Sequence, residues 1–316
     1  MSPLVETILF VFGLVAAGYL CGLTGYLRPE IGDSVAEFAI SVALPLLLFR
    51  TMYGADFAGA APWALWAAYF SAVIVTWTAG HLLVTRGMGR DARAGVVGGV
   101  TAAFSNLVLL GTPFMLGVYG QRGFDILSVL VAVHLPLMMA ASILLFEWVG
   151  RGDGPARSMS ELLATFARRL ARNPLIIGIA AGLAFRAIGA PLPGLAARLI
   201  DALANVAGPI ALFAMGLGLR KYGVGGNIKG GVMLAVLKLM LMPAIALGAA
   251  WLYGLPPMTA KVAVAAAAMP AGVNSYLIAV QFGVGQALAS NAQTIGTAAA
   301  VVTTSFWLTV AHLVFG

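Results

Sequence analysis

Ionised side chains are scarce in this chain: Asp, Glu, Lys and Arg together make up only 9% of its 316 residues. A soluble domain carries about 25%, so a charge-covered surface facing water is excluded. There is one cysteine, Cys21. It excludes an intramolecular disulfide and reads as a small apolar member of the first span. Catalytic signatures are missing as well: the chain holds no HExxH, no CxxC, no P-loop and no GxSxG. Without a nucleotide domain it is no ATP-driven pump. With neither a nucleophile–base pair nor a metal cluster in view, it reads as no enzyme and as holding no cofactor. The glycine tract Val97-Gly98-Gly99-Val100 lies inside an apolar run and needs no phosphate.

What is abundant is apolar surface. Hydrophobic residues make up 61% of the chain and the mean hydropathy is +0.98, which implies an integral membrane protein with the lipid bilayer around it. Its 39 Gly and 15 Pro are tolerable in membrane helices, where neighbours and local distortions re-satisfy freed backbone groups. The net charge of +7 therefore points to topology, not to nucleic acid. The first apolar run begins near Leu4 with no basic stretch before it and is long enough to span, so no cleavable signal is expected.

A span needs about 20 mostly apolar residues. Windows between charge clusters and turn signals predict ten, at 4–24, 33–52, 62–85, 94–119, 125–149, 173–190, 198–219, 230–253, 259–283 and 287–315. Twelve Lys and Arg fall in the loops of one side, around Arg28, Arg86 to Arg93, Arg151 to Arg172 and Arg220 to Lys229. Five (Arg50, Arg122, Arg186, Arg198 and Lys261) fall on the other. The richer side is expected to be cytoplasmic, which sets both termini outside the plasma membrane.

Two stretches, Arg93 to Gly117 and Lys261 to Gly285, share a pattern. Each opens as an apolar helix with a basic residue at its head and is interrupted near mid-span. The first interruption reads Ser105-Asn106 followed by Gly111-Thr112-Pro113; the second reads Pro270-Ala271-Gly272-Val273-Asn274-Ser275. A shift of 168 superimposes Arg93 on Lys261, Asn106 on Asn274 and Gly117 on Gly285. The tract around Pro45 in the second span is similar to that around Pro209 in the seventh. Five spans per half is an odd number, so the halves, 1–149 and 173–316 with a cytoplasmic linker over 150–172, are expected in opposite orientations. The expected fold is all-α and polytopic: ten transmembrane helices in two inverted five-helix repeats, with helices 4 and 9 broken. A helix-breaking polar tract at mid-membrane in both halves marks a transporter's binding site, and solute transport is the function this predicts.

Such a break leaves backbone groups that hydrocarbon cannot satisfy, so it must be packed in protein or line a wet cavity. The half-helix after each break would aim free N–H groups and a partial positive charge at that cavity. Asn106 and Asn274 add amide donors suited to a carboxylate, with Ser105 and Ser275 beside them. Lys238 lies well inside the eighth span, where a cation costs about 2.5–3.5 kcal/mol. No acid is evident at its depth, so it reads as an attraction for an anion, against snorkelling or pairing with Glu37. His134, just before Pro136, reads as core imidazole, with proton coupling as the alternative. Glu37 reads as a helix-start charge, again with proton coupling as the alternative. The many Ser, Asn, Gln and Thr of the tenth span read mainly as small packing residues.

The tract from Ser105 to Pro113, Ser-Asn-Leu-Val-Leu-Leu-Gly-Thr-Pro, resembles the Asn-(small)-x-x-x-Gly-x-Pro tract of the auxin efflux carrier family. Pro270-Ala271-Gly272-Val273-Asn274-Ser275-Tyr276 is similar to the tract in that family's ninth helix. Asn173-Pro174-Leu175-Ile176, Lys238 with Pro243 five residues on, and the Ala-Ser-Asn-Ala-Gln-Thr stretch from Ala289 fit the same pattern. The resemblance covers essentially the whole chain. It implies that the fourth and ninth helices cross at the substrate site and that a scaffold part and a transport part move as an elevator, with Pro45 and Pro209 shaping the contact. It also implies a homodimer. The short cytoplasmic loop resembles bacterial members, several described as carriers of malonate or related carboxylates, which implies a bacterial inner membrane and a small mono- or dicarboxylate as substrate. Coupling to H⁺, to Na⁺ or to neither stays open, since the third span has no acid to pair with Lys238. One rival is a Na⁺-coupled symporter of the bile-acid type, whose cation-coordinating acids are missing at mid-membrane. The other is a membrane-embedded ligand sensor, for which 150–172 is the one modest output surface.

Overall fold

Proline and small capping side chains set where many of the helices begin. The computed structural model describes residues 3–54, 62–149, 164, 167–168, 171–189, 191–222 and 226–316. In it α1 runs over Pro3–Leu23, α2 over Pro29–Phe38, α3 over Leu44–Gly54, α4 over Pro62–Leu82, α5 over Ala92–Ala103 and α6 over Thr112–Val149. There follow α7 over Pro174–Ile188, α8 over Gly194–Tyr222, α9 over Ile228–Val236 and α10 over Met242–Leu252. The chain closes with α11 over Pro257–Ala268, α12 over Val273–Phe282 and α13 over Gln286–Phe315. Pro29, Pro174 and Pro257 stand in the first turn of α2, α7 and α11, where a missing N–H is harmless. Asp91, Asn173 and Asn227 act as N-caps, accepting from the N–H groups of Ala94, Leu175 and Gly230.

Among the described residues no strand forms, and six helical runs are long and apolar enough to cross a membrane. Four shorter apolar helices accompany them: Ile8–Leu23, Pro174–Ile188, Pro257–Ala268 and Val273–Phe282. The protein is an all-helical, multi-pass membrane protein. Two of the boundaries that shift bear on the reading of particular residues. Because Pro29 starts α2 earlier than residue 33, Glu37 sits beyond the first turn and is exposed, and the first-turn acid is Glu30. The turn expected between 119 and 125 shrinks to Gly120 (φ 62, ψ −159), a positive-φ conformation that glycine adopts without strain. The linker expected over 150–172 lies mostly outside the described residues.

Four helical runs loosen into a π turn, at Ala39–Ala43, Leu83–Gly87, Leu107–Gly111 and Leu237–Leu241. Three of them end two residues before a proline: Pro45, Pro113 and Pro243. Proline lacks an N–H and its ring clashes with the carbonyl four residues back. Widening the preceding turn relieves the clash and keeps the run helical. At Pro243 the carbonyl left without its usual donor is that of Leu239, and the Trp307 indole N–H donates to it at 2.7 Å.

The chain divides into two units. One comprises 1–60, 108–133 and 159–221. In it α3 packs on α7 across the small-xxx-small spacing of Gly178 and Gly182. A Cβ on Gly178 would lie 2.4 Å from the Pro45 carbonyl oxygen, and one on Gly182 2.5 Å from that of Phe49. Gly178→Ala is therefore expected to lower the thermal unfolding midpoint of the purified protein, since forcing the two helices apart costs about 1–3 kcal/mol. An unchanged midpoint would mean that the pair can part freely. Arg50 on α3 also reaches Asp201 (3.2 Å) and Asn205 (2.8 Å) on α8. The other unit comprises 61–107, 134–158 and 222–316. Its frame is α4 on α5 and α10, α9 on α13, and α11 on α10 and α13.

Candidate functional site

The second unit contains the two helix breaks. α5 stops at Ala103, and Phe104 turns extended (φ −83, ψ 92); α11 stops at Ala268, and Met269 does the same (φ −62, ψ 141). The released segments then run antiparallel, with Ser105 opposite Ala271. Asn106 N–H donates to the Pro270 carbonyl and Gly272 N–H to the Phe104 carbonyl, each at 2.9 Å. Each break thus supplies the donors and acceptors that the other needs, which is how irregular backbone survives without water. Pro270 suits its place, because there the backbone is used only as an acceptor. Ser105, Asn106, Pro270, Ala271 and Gly272 are all buried.

In the bridge Asn106 and Gly272 play matching parts, and Asn274 lies two residues beyond it. Asn106 is 5% exposed and engaged within the protein. Asn274 is half-buried in the first turn of α12, whose N-cap is Gly272 with no side chain to offer. The Ser275 N–H donates to the Gly272 carbonyl at 3.1 Å; the N–H groups of Val273 and Asn274 before it have no intrahelical acceptor and carry the positive pole of the helix. Ser275, buried, turns its hydroxyl back onto the Gly272 carbonyl at 2.7 Å. Ser105 accepts from the Tyr69 phenol at 2.9 Å and donates to Met242 Sδ at 3.9 Å. Both serine hydroxyls, expected as ligands for substrate, are occupied inside the protein.

Gly111, Thr112 and Pro113 do not form part of a break. They belong to a helical run, the π turn Leu107–Gly111 continuing into α6, because the π turn accommodates Pro113. These three residues, with Pro45, Pro209 and Glu37, belong to the first unit. Pro45 is buried, its carbonyl close to Gly178 of α7; Pro209 is exposed on α8.

Lys238 has a partner that the sequence does not display. It is 1% exposed, and its Nζ donates at 2.6 Å to the carbonyl of Ala267, in the last turn of α11. That carbonyl lies at the negative pole of a helix that stops at Ala268, so Lys238 caps the break from behind. The π turn Leu237–Leu241 places it there. His134, 2% exposed, packs edge-on against Tyr69 (5.4 Å between centroids) and Phe104 (4.9 Å). Neither ring nitrogen reaches hydrogen-bond geometry with a described residue, although the Ser105 backbone and Lys238 are close by. On α13, Ser290, Asn291, Gln293, Thr297 and Thr304 are buried. Thr297, Thr303 and Ser305 bond carbonyls of their own helix one turn back, which supports a packing role. Among the described residues no group of three or more His, Cys, Asp or Glu could hold a metal. Tyr69 is absent from the sequence-derived candidates; its one signal is the polar tip of an aromatic ring within a membrane span.

Apolar helices broken in mid-course and rejoined backbone to backbone are the construction of a membrane transporter. The chain belongs to the family described as "Membrane transport protein", the auxin efflux carrier family, which it matches over residues 3–308. It is 24% identical over 304 residues to an "Uncharacterized transporter" of Methanothermobacter thermautotrophicus, covering 96% of each chain. It is 28% identical over 333 aligned positions to a "Putative malonate transporter" of Rhizobium meliloti, covering 96% of this chain and 94% of that one. A similarity of 25% over 231 residues links it to the mouse "Lysosomal cholesterol signaling protein", over 69% of this chain and 26% of that protein. The family and the two full-length relatives are transporters, not enzymes.

Proposed function

We propose that the protein carries a small organic anion, a mono- or dicarboxylate such as malonate, across the bacterial inner membrane by alternating access. The observation that carries this reading is the start of α12: an uncapped helix N-terminus with a half-buried Asn274, set beside a bridge that is otherwise closed. Free N–H groups, a positive helix pole and an amide donor together favour a carboxylate. Asn106, whose backbone N–H forms one bond of the bridge, is proposed as the second amide of the site. The hydrogen bond from Lys238 to the Ala267 carbonyl offsets the negative pole of α11 and so keeps the neighbourhood hospitable to an anion. The wider frame belongs to the proposal: ten spans in two inverted five-helix repeats, both termini outside, a homodimer, and an elevator-like movement of one part against the other. A relative named for malonate gives the substrate class its support. His134, buried against Tyr69 and Phe104 of the break, is the candidate for proton coupling; Glu37, exposed, has less to favour it.

The test is uptake of radiolabelled malonate into proteoliposomes at several pH and Na⁺ values. Saturable uptake is expected, and its ion dependence distinguishes H⁺ coupling, Na⁺ coupling of the bile-acid type, and uncoupled flux. No uptake of malonate or of a small-carboxylate panel by folded protein would overturn the carboxylate reading. The sensor reading draws on the mouse relative named for signaling. It predicts binding without net solute movement, so the same assay separates it.

A further inference from the structure

Two backbone hydrogen bonds are a thin connection for a binding site. An isolated pair of short strands is marginal at best, so the crossover needs outside support to hold α12 in one place. On the side of the second break, Lys238 provides it at Ala267, in the last turn of α11. On the first, it comes from Tyr69 in α4. This tyrosine is 0% exposed, and its O–H donates to Ser105 Oγ at 2.9 Å. Ser105 then donates onward to Met242 Sδ. A buried phenol must find a partner, and this one finds it at the centre of the bridge.

The ring is itself fixed. Its edge meets Phe70 at 5.5 Å and 89°, and His134 at 5.4 Å and 81°. His134 makes the same kind of contact with Phe104 at 4.9 Å and 77°. Phe104 and Ser105 are consecutive, so the first extended segment is gripped at its side chains one after the other, by a histidine ring and by a tyrosine hydroxyl. The two outside supports also share a backing. Tyr69 lies in α4, Lys238 in the turn that leads into α10, and α4 packs against α10.

We propose that Tyr69 is a positioning residue of the substrate site, a role that rests on the transporter reading above. It fixes Ser105, Ser105 fixes the register with Ala271, and that register sets Gly272 and the start of α12 where Asn274 stands. Sites whose supporting contacts are left loose by about 1 Å lose much of their function, so the effect of the phenol is read at a residue it does not touch.

Tyr69→Phe keeps the ring and deletes only the O–H. In proteoliposomes it is expected to raise the half-saturation concentration for malonate about fivefold, the equivalent of one neutral hydrogen bond. Maximal rate and unfolding midpoint should stay close to the wild type. Ser105→Ala, which loses this bond and the weaker one to Met242 Sδ, is expected to raise it at least as much, and the double variant no more than Ser105→Ala, because the Tyr69–Ser105 bond can be lost only once. A second readout needs no substrate. In hydrogen exchange followed by mass spectrometry, the peptides carrying the Asn106 and Gly272 amides are expected to exchange about tenfold faster in Tyr69→Phe, with the rest of the chain unchanged. Unchanged exchange at those amides, or additive effects of the two substitutions on half-saturation, would overturn the positioning role. If the wild type moves no carboxylate at all, the transport reading falls, and the exchange result alone decides on Tyr69.

Discussion

Replacing Lys238 with alanine is expected to lower the unfolding midpoint sharply and to abolish malonate uptake. Replacing it with methionine should restore most of the stability but little of the uptake. The difference follows from what each variant leaves behind. Lys238 is the one buried Lys or Arg among the described residues, and its Nζ meets the Ala267 carbonyl at 2.6 Å. Alanine opens a cavity along the whole stem and orphans that carbonyl at the same time. The combined cost is about 3–5 kcal/mol, a large fraction of a domain's total stability. Methionine fills nearly the same volume, so the cavity term largely vanishes and the orphaned carbonyl remains, at about 1–3 kcal/mol. Uptake responds to something else. The last carbonyls of α11 form a negative pole directly before the bridge, and without the lysine an arriving carboxylate meets that pole unopposed. Uptake by Lys238→Met is expected to fall about tenfold or more, since the loss of a charge-assisted contact is worth at least 1.4 kcal/mol. Wild-type uptake by a stable Lys238→Met protein would reduce Lys238 to a structural plug.

The breaks themselves were legible in the sequence, and so was their number, because Pro270-Ala271-Gly272 and Ser105-Asn106 are poor helix formers set in long apolar runs. What the helices do after each break was not. Gly111-Thr112-Pro113 has the composition of a break, yet the run stays helical, since a π turn absorbs the proline. Local sequence does not say whether a proline will end a helix or widen the turn before it. The partners across the bridge were equally hidden. The shift that aligns Asn106 with Asn274 does not say which residues pair across the bridge; that register is decided by which carbonyls and N–H groups can meet, and these are those of Phe104, Asn106, Pro270 and Gly272. Lys238 was visible as a buried cation whose partner was not, because that partner is a main-chain carbonyl and carbonyls leave no mark in a sequence. Tyr69 was hidden for a related reason: its acceptor lies 36 residues away, and an aromatic residue in a membrane span is unremarkable until the fold shows where its hydroxyl ends.

The two asparagines, alike in sequence, are expected to answer mutation differently. Asn274 is half-buried at the positive end of α12. Asn274→Ala removes an amide at a half-buried position outside the bridge, so the unfolding midpoint should move little, by about 0.5 kcal/mol. Malonate half-saturation should nevertheless rise about tenfold or more, because a hydrogen bond to a charged group contributes roughly 1.5–3 kcal/mol. Asn274→Asp goes further. It keeps the shape of the side chain and sets a carboxylate where the substrate's carboxylate must lie. Like charges brought together cost several kcal/mol, so uptake should disappear while the protein stays folded, its new acid favoured by the N-terminus of the helix. Asn106 is 5% exposed, engaged within the protein, and part of the bridge through its backbone. Its alanine variant should lose stability and uptake together, by about 1–3 kcal/mol for the polar groups left unpaired. Uptake and thermal unfolding measured on the three variants side by side separate the roles. A folded Asn274→Asp protein that still accumulates malonate would remove the start of α12 from the substrate site, and with it the observation on which the carboxylate reading rests.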